Sequence, residues 1–317
     1  MKIAYVSTYP PTRCGVGEYT RMLNSALKSI MPSVEVFILC NSDGKHLESV
    51  DEAVSESVFP CYIRHSDDYR RVLSVLSEIN GVDILHIQHE FGIFGKTNAL
   101  LDAAVEARSE RLAKRIVFTM HTVYHPCSGR KYALNFQKEL NRADAIIVHS
   151  YLQEFELQHQ ETNPTKIHCI PHGTFLNPYI ETSRHKLAKE LGIDGGKFNG
   201  ITCAIPGFLR KDKGFDVLFN ALKAIENVVN FTIIVGGELK DKEVKKLIEA
   251  GRSNIVLIER YLTRDEIFKL VALADAIILP YKDHIGAYSV SGILHLSMGS
   301  LKPIIGTRVP RLVELYQ

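Results

Sequence analysis

The sequence predicts an α/β protein made of two doubly wound, Rossmann-like domains. Short apolar runs alternate with helical patterns along almost all of its 317 residues. Each half opens on an apolar strand, a loop that contains glycine and an amphipathic helix, first from Lys2 and again from Ile201. Between the halves, residues 174–200 lose this alternation and contain Asn177-Pro178. Because alternating strands and helices form parallel sheets with helices on both faces, each half predicts one such domain.

The first half predicts seven strands and five helices. The first helix illustrates the pattern, because its apolar side chains fall on one face: Met22, Leu23, Ala26, Leu27 and Ile30. The polar, acidic residues 41–57 predict a surface loop. The predicted strands are 2–7, 34–40, 58–63, 83–88, 115–120, 145–149 and 166–170, and the predicted helices are 17–30, 67–79, 97–114, 130–142 and 151–158.

The second half repeats the alternation after a short helix near residues 185–191 and the linker glycines Gly195 and Gly196. We place the domain boundary within 174–180, which divides the chain into residues 1–176 and 177–317. The predicted strands are 201–205, 231–235, 255–259, 276–280 and 303–306, and the predicted helices are 214–226, 241–250, 263–273, 289–298 and one beginning at Pro310.

Composition disfavours several classes of protein. The net charge of +2, from 38 basic and 36 acidic residues, argues against a nucleic-acid partner. No apolar run reaches the roughly 20 residues that a membrane-spanning helix needs. The first eleven residues are typical of a strand rather than of a secretion signal. The six scattered cysteines fit reduced thiols, so we expect a cytoplasmic protein.

The basic loop after the strand at residue 201 is the first candidate site. Gly207 ends the strand region, and Arg210 and Lys213 follow before a helix begins at Gly214. In open α/β sheets, ligands bind at the carboxyl ends of strands. Fixed cations beside the N–H groups of a helix start suit a diphosphate. The alternative is an ordinary solvated basic loop.

Other strand ends carry further candidates. Gly15 and Gly17 follow the first strand, but they do not form the G-x-G-x-x-G dinucleotide fingerprint, and a plain turn is an even alternative. His121 ends another strand, where it would face the mouth of the sheet. His89 and Glu90 follow a third, and their position favours an acceptor-side loop. A metal site is disfavoured because the H-x-x-H-E spacing matches no zinc motif, and His86 and His89 would point to opposite faces if both lay on the strand.

The second half adds two weaker signals. Gly236 lies in a strand-end glycine pair, which allows either close approach to a nucleotide or a tight turn. Ser291 and Gly292 open a helix and predict an anion site, although a simple serine cap is the plainer alternative. The chain has no G-x-S-x-G elbow and no P-loop, which disfavours hydrolases and phosphate-loop NTPases.

Together these stretches resemble the retaining GT-B glycosyltransferases of the group 1, or family 4, type. Residues 10–18 are similar to that family's glycine loop, and residues 170–173 to its Pro-[Asn/His]-Gly junction. His121 matches its donor-side histidine. Residues 207–214 resemble its diphosphate loop, with Lys213 at the family's lysine and Arg210 as a cation placed two residues later than usual. Glu314 matches the family's glutamate at a helix start.

Besides the displaced loop cation, the resemblance has two further departures. The family usually has two glutamates eight residues apart, and counting back from Gly299 puts them at Gly286 and Leu294. The chain also ends at Gln317, earlier than the family's pattern, so we expect an incomplete second domain that is less stable than the first.

The resemblance implies a GT-B fold with two Rossmann-like domains facing across a cleft. It implies transfer of a sugar, most simply a hexose, from a nucleotide-sugar to an acceptor hydroxyl with retention and without metal or cofactor. His121, Arg210 and Lys213 would be catalytic, and the donor would contact Gly15, Gly17, Gly207, Gly236, Ser291, Gly292 and Glu314. His89 and Glu90 would serve a glycan, lipid-linked or small-molecule acceptor, with possible peripheral membrane contact.

The alternatives are a non-catalytic nucleotide-sugar-binding protein and an epimerase or phosphorylase of the same fold. A nicotinamide dehydrogenase is disfavoured because the fingerprint is absent.

Overall fold

A computed structural model describes residues 1–44, 49–51, 56–193, 198, 200–225, 228–249 and 254–316. The linker glycines Gly195 and Gly196 lie outside these residues, as does most of the predicted loop 41–57. The chain forms two compact units. Unit 1 comprises Met1–Pro171 and Ile285–Val290, and unit 2 comprises His172–His284 and Ser291–Gln317. Unit 1 thus includes one short segment, Ile285–Val290, from the second half of the sequence.

Unit 1 is built on an eight-stranded sheet in the order β3-β4-β2-β1-β5-β6-β8-β9. Its pairs are parallel except β3 with β4. The strands of this sheet are β1 (Lys2–Val6), β2 (Glu35–Asn41), β3 (Ser49–Asp51), β4 (Glu56–Tyr62), β5 (Val82–His89), β6 (Ala113–Met120), β8 (Ala145–Val148) and β9 (Ile167–Cys169), and β7 (Thr122–Tyr124) lies outside it. The helices are α1 (Gly15–Ile30), α2 (Arg70–Glu78), α3 (Ala99–Ser109), α4 (Lys131–Lys138) and α5 (Tyr151–His159).

Unit 2 is built on a five-stranded parallel sheet in the order β12-β11-β10-β13-β15. Its strands are β10 (Ile201–Pro206), β11 (Phe231–Gly237), β12 (Ile255–Glu259), β13 (Ala276–Leu279) and β15 (Ile304–Gly306). Its helices are α6 (Arg184–Glu190), α7 (Phe215–Ile225), α8 (Lys242–Glu249), α9 (Arg264–Leu273) and α10 (Gly292–Met298), followed by a 3-10 turn over Pro310–Leu315.

Both sheets are covered on two faces, as the sequence predicts. In β1, Ala4 and Val6 pack into one apolar cluster, and Ile3 and Tyr5 pack into another. In β10, Ala204 and its neighbour Ile205 likewise belong to different clusters. Successive side chains of a strand point to opposite faces, so each sheet has a core on either side. None of the helices in the described parts of the chain combines the length and apolar character needed to cross a membrane.

Three short strands were not predicted. Residues 49–51 form β3 inside the expected loop, and β7 pairs antiparallel with β14 (Ala287–Ser289) in unit 1. Because residues 287–289 are extended, α10 begins at Gly292 rather than at the predicted residue 289. Gln153 of α5 binds to β14 of the β7–β14 pair, since its Nε2 donates to the Tyr288 carbonyl at 3.2 Å.

Candidate active site

The loop between β10 and α7 turns sharply where two glycines meet. Gly207 has φ 103°, a backbone conformation that L side chains rarely adopt. A Cβ on Gly237, at the end of β11, would collide with the carbonyl oxygen of Gly207. A Cβ on Gly207 would lie 3.9 Å from Lys213 Nζ, so this turn places the backbone beside the lysine.

Gly214 closes the same loop with φ 65°, and a Cβ there would collide with the carbonyl oxygen of Pro280. We expect Gly214→Ala to cost about 2 kcal/mol or more, because a backbone clash adds to the roughly 1–2 kcal/mol strain of a left-handed residue. Gly192→Ala is the matched control, since Gly192 has φ 72° and open space around its Cβ. Urea denaturation followed by circular dichroism checks both variants. Equal losses would contradict the packing argument.

Lys213 is the buried cation of this loop, with only 4% of its surface exposed. Its Nζ donates to the Tyr281 hydroxyl at 2.6 Å and lies 3.9 Å from the centroid of that ring. No carboxylate forms an ion pair with Lys213 among the side chains that the structure describes. Burial lowers the pKa of Lys213, although Tyr281 opposes this shift. A buried ammonium without a carboxylate is costly, which points to an anionic ligand.

Tyr281 links the lysine to the start of α10. Its hydroxyl lies 3.1 Å from Ser291 Oγ, and that oxygen accepts the N–H of Leu294 at 3.2 Å. Ser291 is therefore the serine cap that the sequence offered as the plainer alternative. Burial by itself would raise the pKa of Tyr281, but the charges of Lys213 and Arg311 outweigh it and the pKa is lowered.

Asp212 gathers two further cations around the loop. Its Oδ2 accepts Arg210 Nη2 at 2.9 Å and Arg311 Nη1 at 3.1 Å. Burial would raise the pKa of Asp212, but Arg210 and Arg311 lower it overall. The Nε atoms of both arginines are buried without a hydrogen-bond partner in the described structure. Two arginines thus share one carboxylate, and the Nε donor of each has no acceptor among the described residues.

In unit 1, His121 lies at the end of a buried polar chain. His121 Nε2 donates to Gln88 Oε1 at 2.9 Å, and Gln88 Nε2 donates to His86 Nε2 at 3.3 Å. Thr119 Oγ1 lies 2.8 Å from the same His86 nitrogen. Burial lowers the pKa of His86 to about 3, which keeps it neutral and able to accept. This chain fixes the orientation of the His121 ring.

Aromatic rings complete the surroundings of His121. Tyr19 of α1 packs edge-on against it with ring centroids 4.9 Å apart, and His149 lies 5.4 Å away. Burial raises the pKa of Tyr19 to about 12, so the phenol is neutral.

The α1 helix can bring Tyr19 to His121 because Gly17 lies against the preceding loop. A Cβ on it would be 3.0 Å from Thr8 O, whereas Gly15 has open space around its Cβ.

The predicted acceptor-side role of His89 requires a side chain that lines an open loop, but the structure buries it. Its ring is 2% exposed and stacks between Phe136 and Phe94, with centroids 4.2 Å and 5.6 Å away. The strand β5 continues through residue 89, so this side chain falls on the apolar face with Ile87. Glu90 is half-buried, and its two oxygens accept from Thr122 Oγ1 at 2.7 Å and from Gly92 N–H at 3.3 Å.

The remaining predicted donor residues are divided between packing and polar roles. Gly236 faces the core, because a Cβ on it would lie 2.6 Å from Leu270 Cδ2. Gly292 lies near His172, whose Nε2 would be 3.7 Å from an added Cβ. Glu314 Oε2 accepts from His295 Nε2 at 2.9 Å. Within unit 2, Gly207 and Ser291 of the predicted donor set adjoin the Lys213–Tyr281 pair.

Two family descriptions together match most of the chain. Residues 14–177 match Glycosyltransferase Family 4, and residues 201–317 match Glycosyl transferases group 1. The first match alone spans more than half of the sequence. The chain belongs to glycosyltransferase family 4. It is therefore a glycosyltransferase, as the family resemblance implies. Among curated proteins, no significant match was found.

Solved structures confirm the GT-B fold of this glycosyltransferase. HepE from Anabaena, in complex with UDP and glucose, is 17% identical with a TM-score of 0.69, and the match covers 100% of this chain and 83% of HepE. A glycosyltransferase from Rickettsia africae is 16% identical with a TM-score of 0.72, covering 100% and 81%. The catalytic domain of starch synthase IV from Arabidopsis thaliana, bound to ADP and acarbose, is 15% identical with a TM-score of 0.67, covering 99% and 84%.

The glycosyltransferase has structural reasons for its departures from the two-glutamate pattern. Gly286 has φ 69°, and a Cβ there would lie 2.8 Å from Cys127 Sγ. A glutamate would be strained and crowded at this position. Leu294 is fully buried in the core of unit 2, where a carboxylate would be desolvated. Within the described residues, no group of three or more metal-ligating side chains is arranged around a common point.

Lys213, Arg210 and Arg311, with Asp212 and Tyr281 between them, form what we call the cation cluster. Sequence reasoning assigned no role to three of these residues. Tyr281, Asp212 and Arg311 come from different parts of the sequence and meet only in the folded unit. The signal for Tyr281 was its place two residues after the strand that ends at Leu279, close to the kind of strand-end position that singled out His121.

Proposed function

We propose that this glycosyltransferase transfers a hexosyl group from a nucleotide-sugar to an acceptor hydroxyl, with retention of configuration. The observation that carries the proposal is the cation cluster of unit 2. Lys213 is buried against Tyr281, and Arg210 and Arg311 share one carboxylate. A nucleotide-sugar brings two phosphates to such a site, and their oxygens are strong acceptors for these donors.

The cluster suits the departure of a nucleoside diphosphate. Negative charge grows on the diphosphate oxygens as the bond to the sugar breaks. Lys213 and Arg210 supply fixed positive charge where a divalent ion would otherwise be needed, so we propose that the reaction requires no metal. The solved relatives HepE, with UDP and with UDP-glucose, and starch synthase IV, with ADP, support a nucleotide-sugar as the donor.

In unit 1 we propose that His121 contacts substrate hydroxyls. The Gln88 side chain holds its ring in one orientation, and imidazole is a common partner of sugar hydroxyls and of protons near neutral pH. Glu90 is the proposed acceptor-side residue, whereas the ring of His89 is too deeply buried in unit 1 to contact an acceptor. We propose a glycan, lipid-linked or small-molecule acceptor and a cytoplasmic location, with peripheral membrane contact in the lipid-linked case.

A titration with UDP-, GDP- and ADP-sugars, in buffer that contains EDTA, tests donor binding. We expect one nucleotide series to raise the thermal unfolding midpoint. Ligand at about 100 times its dissociation constant contributes roughly 2.7 kcal/mol of stability. The selected donor is then incubated with candidate acceptors, and NMR of the product reports the anomeric configuration. An inverted product, or activity that needs a divalent ion, would overturn those parts of the proposal. No shift with any series would overturn donor binding.

The second candidate is a protein that binds nucleotide-sugars without turning them over. It is favoured by Gly286 and Leu294, which stand where the sequence count puts the family's two glutamates. The same titration distinguishes the two candidates when acceptors are added. Binding without transfer, and without slow hydrolysis of the donor, would support the binding protein.

A further inference from the structure

Arg311 reaches the diphosphate loop from a distant part of the sequence. It lies in the 3-10 turn after β15, 99 residues from Asp212. Its Nη1 donates to Asp212 Oδ2 at 3.1 Å, and its guanidinium carbon is 5.5 Å from the Tyr281 ring centroid. The side chain therefore lies beside both the loop carboxylate and the ring that holds Lys213.

The hydrogen bonds of Arg311 are incomplete in a way that indicates a ligand. Its Nε is buried and has no partner among the described residues, and the same holds for Nε of Arg210. Buried N–H donors are nearly always paired, because an unpaired donor loses its water without compensation. Both donors belong to cations that share Asp212. A ligand with several anionic oxygens would satisfy them.

The charge balance leads to the same conclusion. Arg210 and Arg311 share the carboxylate of Asp212, which is only 13% exposed, and Lys213 has no carboxylate ion-pair partner among the described residues. Two further ionisable groups adjoin the cluster: His284, whose Nε2 is 4.0 Å from Asp212 Oδ2, and Tyr281, whose hydroxyl accepts from Lys213. The cluster keeps an excess of positive charge, which an added dianion would neutralise.

This inference rests on the proposed function. We propose that Arg311 is a donor-binding residue of this glycosyltransferase and contacts the diphosphate of the nucleotide-sugar together with Lys213. The planar guanidinium presents two edges of donors, so Arg311 can keep Asp212 on one edge and bind phosphate oxygens with the other. A lysine ammonium carries its three donors on one atom, so it cannot present a planar, two-donor edge to each partner.

Arg308 provides a matched control in the same segment. Its guanidinium carbon lies 5.5 Å from the ring centroid of Tyr316, and it forms no ion pair with Asp212. Arg308→Gln removes the same charge three residues earlier, so it reproduces the change in net charge without touching the cluster.

The test measures affinity by isothermal titration calorimetry for the nucleoside diphosphate selected by the donor titration, and competition NMR for the matching nucleoside. We expect Arg311→Gln to weaken the diphosphate ten- to a hundredfold and to leave the nucleoside unchanged. Arg311→Lys should fall between wild type and Arg311→Gln, and Arg308→Gln should bind as wild type does. Equal losses for Arg308→Gln and Arg311→Gln would overturn a specific contact.

A double-mutant cycle separates phosphate contact from simple pairing with Asp212. In an Asp212→Asn background, Arg311→Gln should still weaken the diphosphate at least fivefold. No effect in that background would show that Arg311 serves only to neutralise Asp212, and the inference would fail. If wild type binds no nucleoside diphosphate, the proposed function fails; if wild type binds and Arg311→Gln binds equally well, only the Arg311 assignment fails. Should Arg311→Gln not fold, Arg311→Lys decides through the same comparison.

Discussion

Lys213→Ala is expected to reduce the turnover number by on the order of 100-fold or more, the loss typical of removing one positioned electrostatic donor. The ammonium of Lys213 is buried and bonded to the Tyr281 hydroxyl, so it is held in place before any ligand arrives. Its charge is needed most when the diphosphate departs, because negative charge is then greatest. The loss should therefore appear mainly in kcat and less in KM. Initial rates over a range of donor concentrations measure both.

Lys211→Ala is the control for Lys213→Ala. Lys211 lies two residues earlier, is exposed and pairs with Glu243 at 2.6 Å. We expect its turnover to match that of wild type. The unliganded Lys213→Ala protein should be as stable as wild type, because the substitution also removes a buried charge. Normal turnover in a folded Lys213→Ala protein would contradict the assigned role.

Acid is expected to destabilise unit 1 through two buried histidines. Burial lowers the pKa of His86 and of His89 to about 3, whereas an unfolded histidine titrates near 6.5. Below pH 6.5 the unfolded chain binds more protons than the folded one, so stability falls as the pH drops from 6.5 towards 3. Between pH 7 and pH 5, each histidine should cost roughly 2 kcal/mol of unfolding free energy. Urea denaturation at a series of pH values, followed by circular dichroism, measures the dependence.

His89→Phe isolates one of these contributions. His89 stacks among phenylalanines, and its Nδ1 is buried without a hydrogen-bond partner in the described structure, so phenylalanine suits the place chemically. We expect the variant to lose about half of the stability decrease between pH 7 and pH 5. The control is His168→Gln, because the side chain of His168 is exposed. A pH dependence in His89→Phe as steep as in wild type would refute the explanation.

Local pattern was enough to predict the two sheets, because buried parallel strands are continuous apolar runs that alternate with amphipathic helices. It missed the β7–β14 pair, since three-residue strands leave no periodicity to detect. It placed His89 on the wrong surface by treating the strand as ending at residue 88. The alternation of Leu85, Ile87 and His89 was the signal that would have put this ring in the core.

For the candidate site, sequence reasoning identified Lys213 and Arg210 because they follow a strand directly. It could not identify the pairing of Arg311 with Asp212, which depends on how the turn after β15 packs against a loop far away in the sequence. It left Gly236 open between close approach to a nucleotide and a tight turn, and the adjacent side chains of Leu262 and Leu270 give a packing reason for a glycine there. Sequence motifs therefore locate the loop, whereas tertiary packing determines which distant residues contact it.

The strand β14 gives the two units an interleaved order along the chain. Residues 285–290 complete unit 1, although the sequence before and after them belongs to unit 2. A gene fragment that ends at Pro171 would encode unit 1 without the partner strand of β7 and without the Tyr288 carbonyl that Gln153 binds. Exchange of whole halves between related enzymes, in the laboratory or during evolution, would then separate a strand from its sheet partner. Chimaeras should carry residues 285–290 from the same parent as residues 1–171.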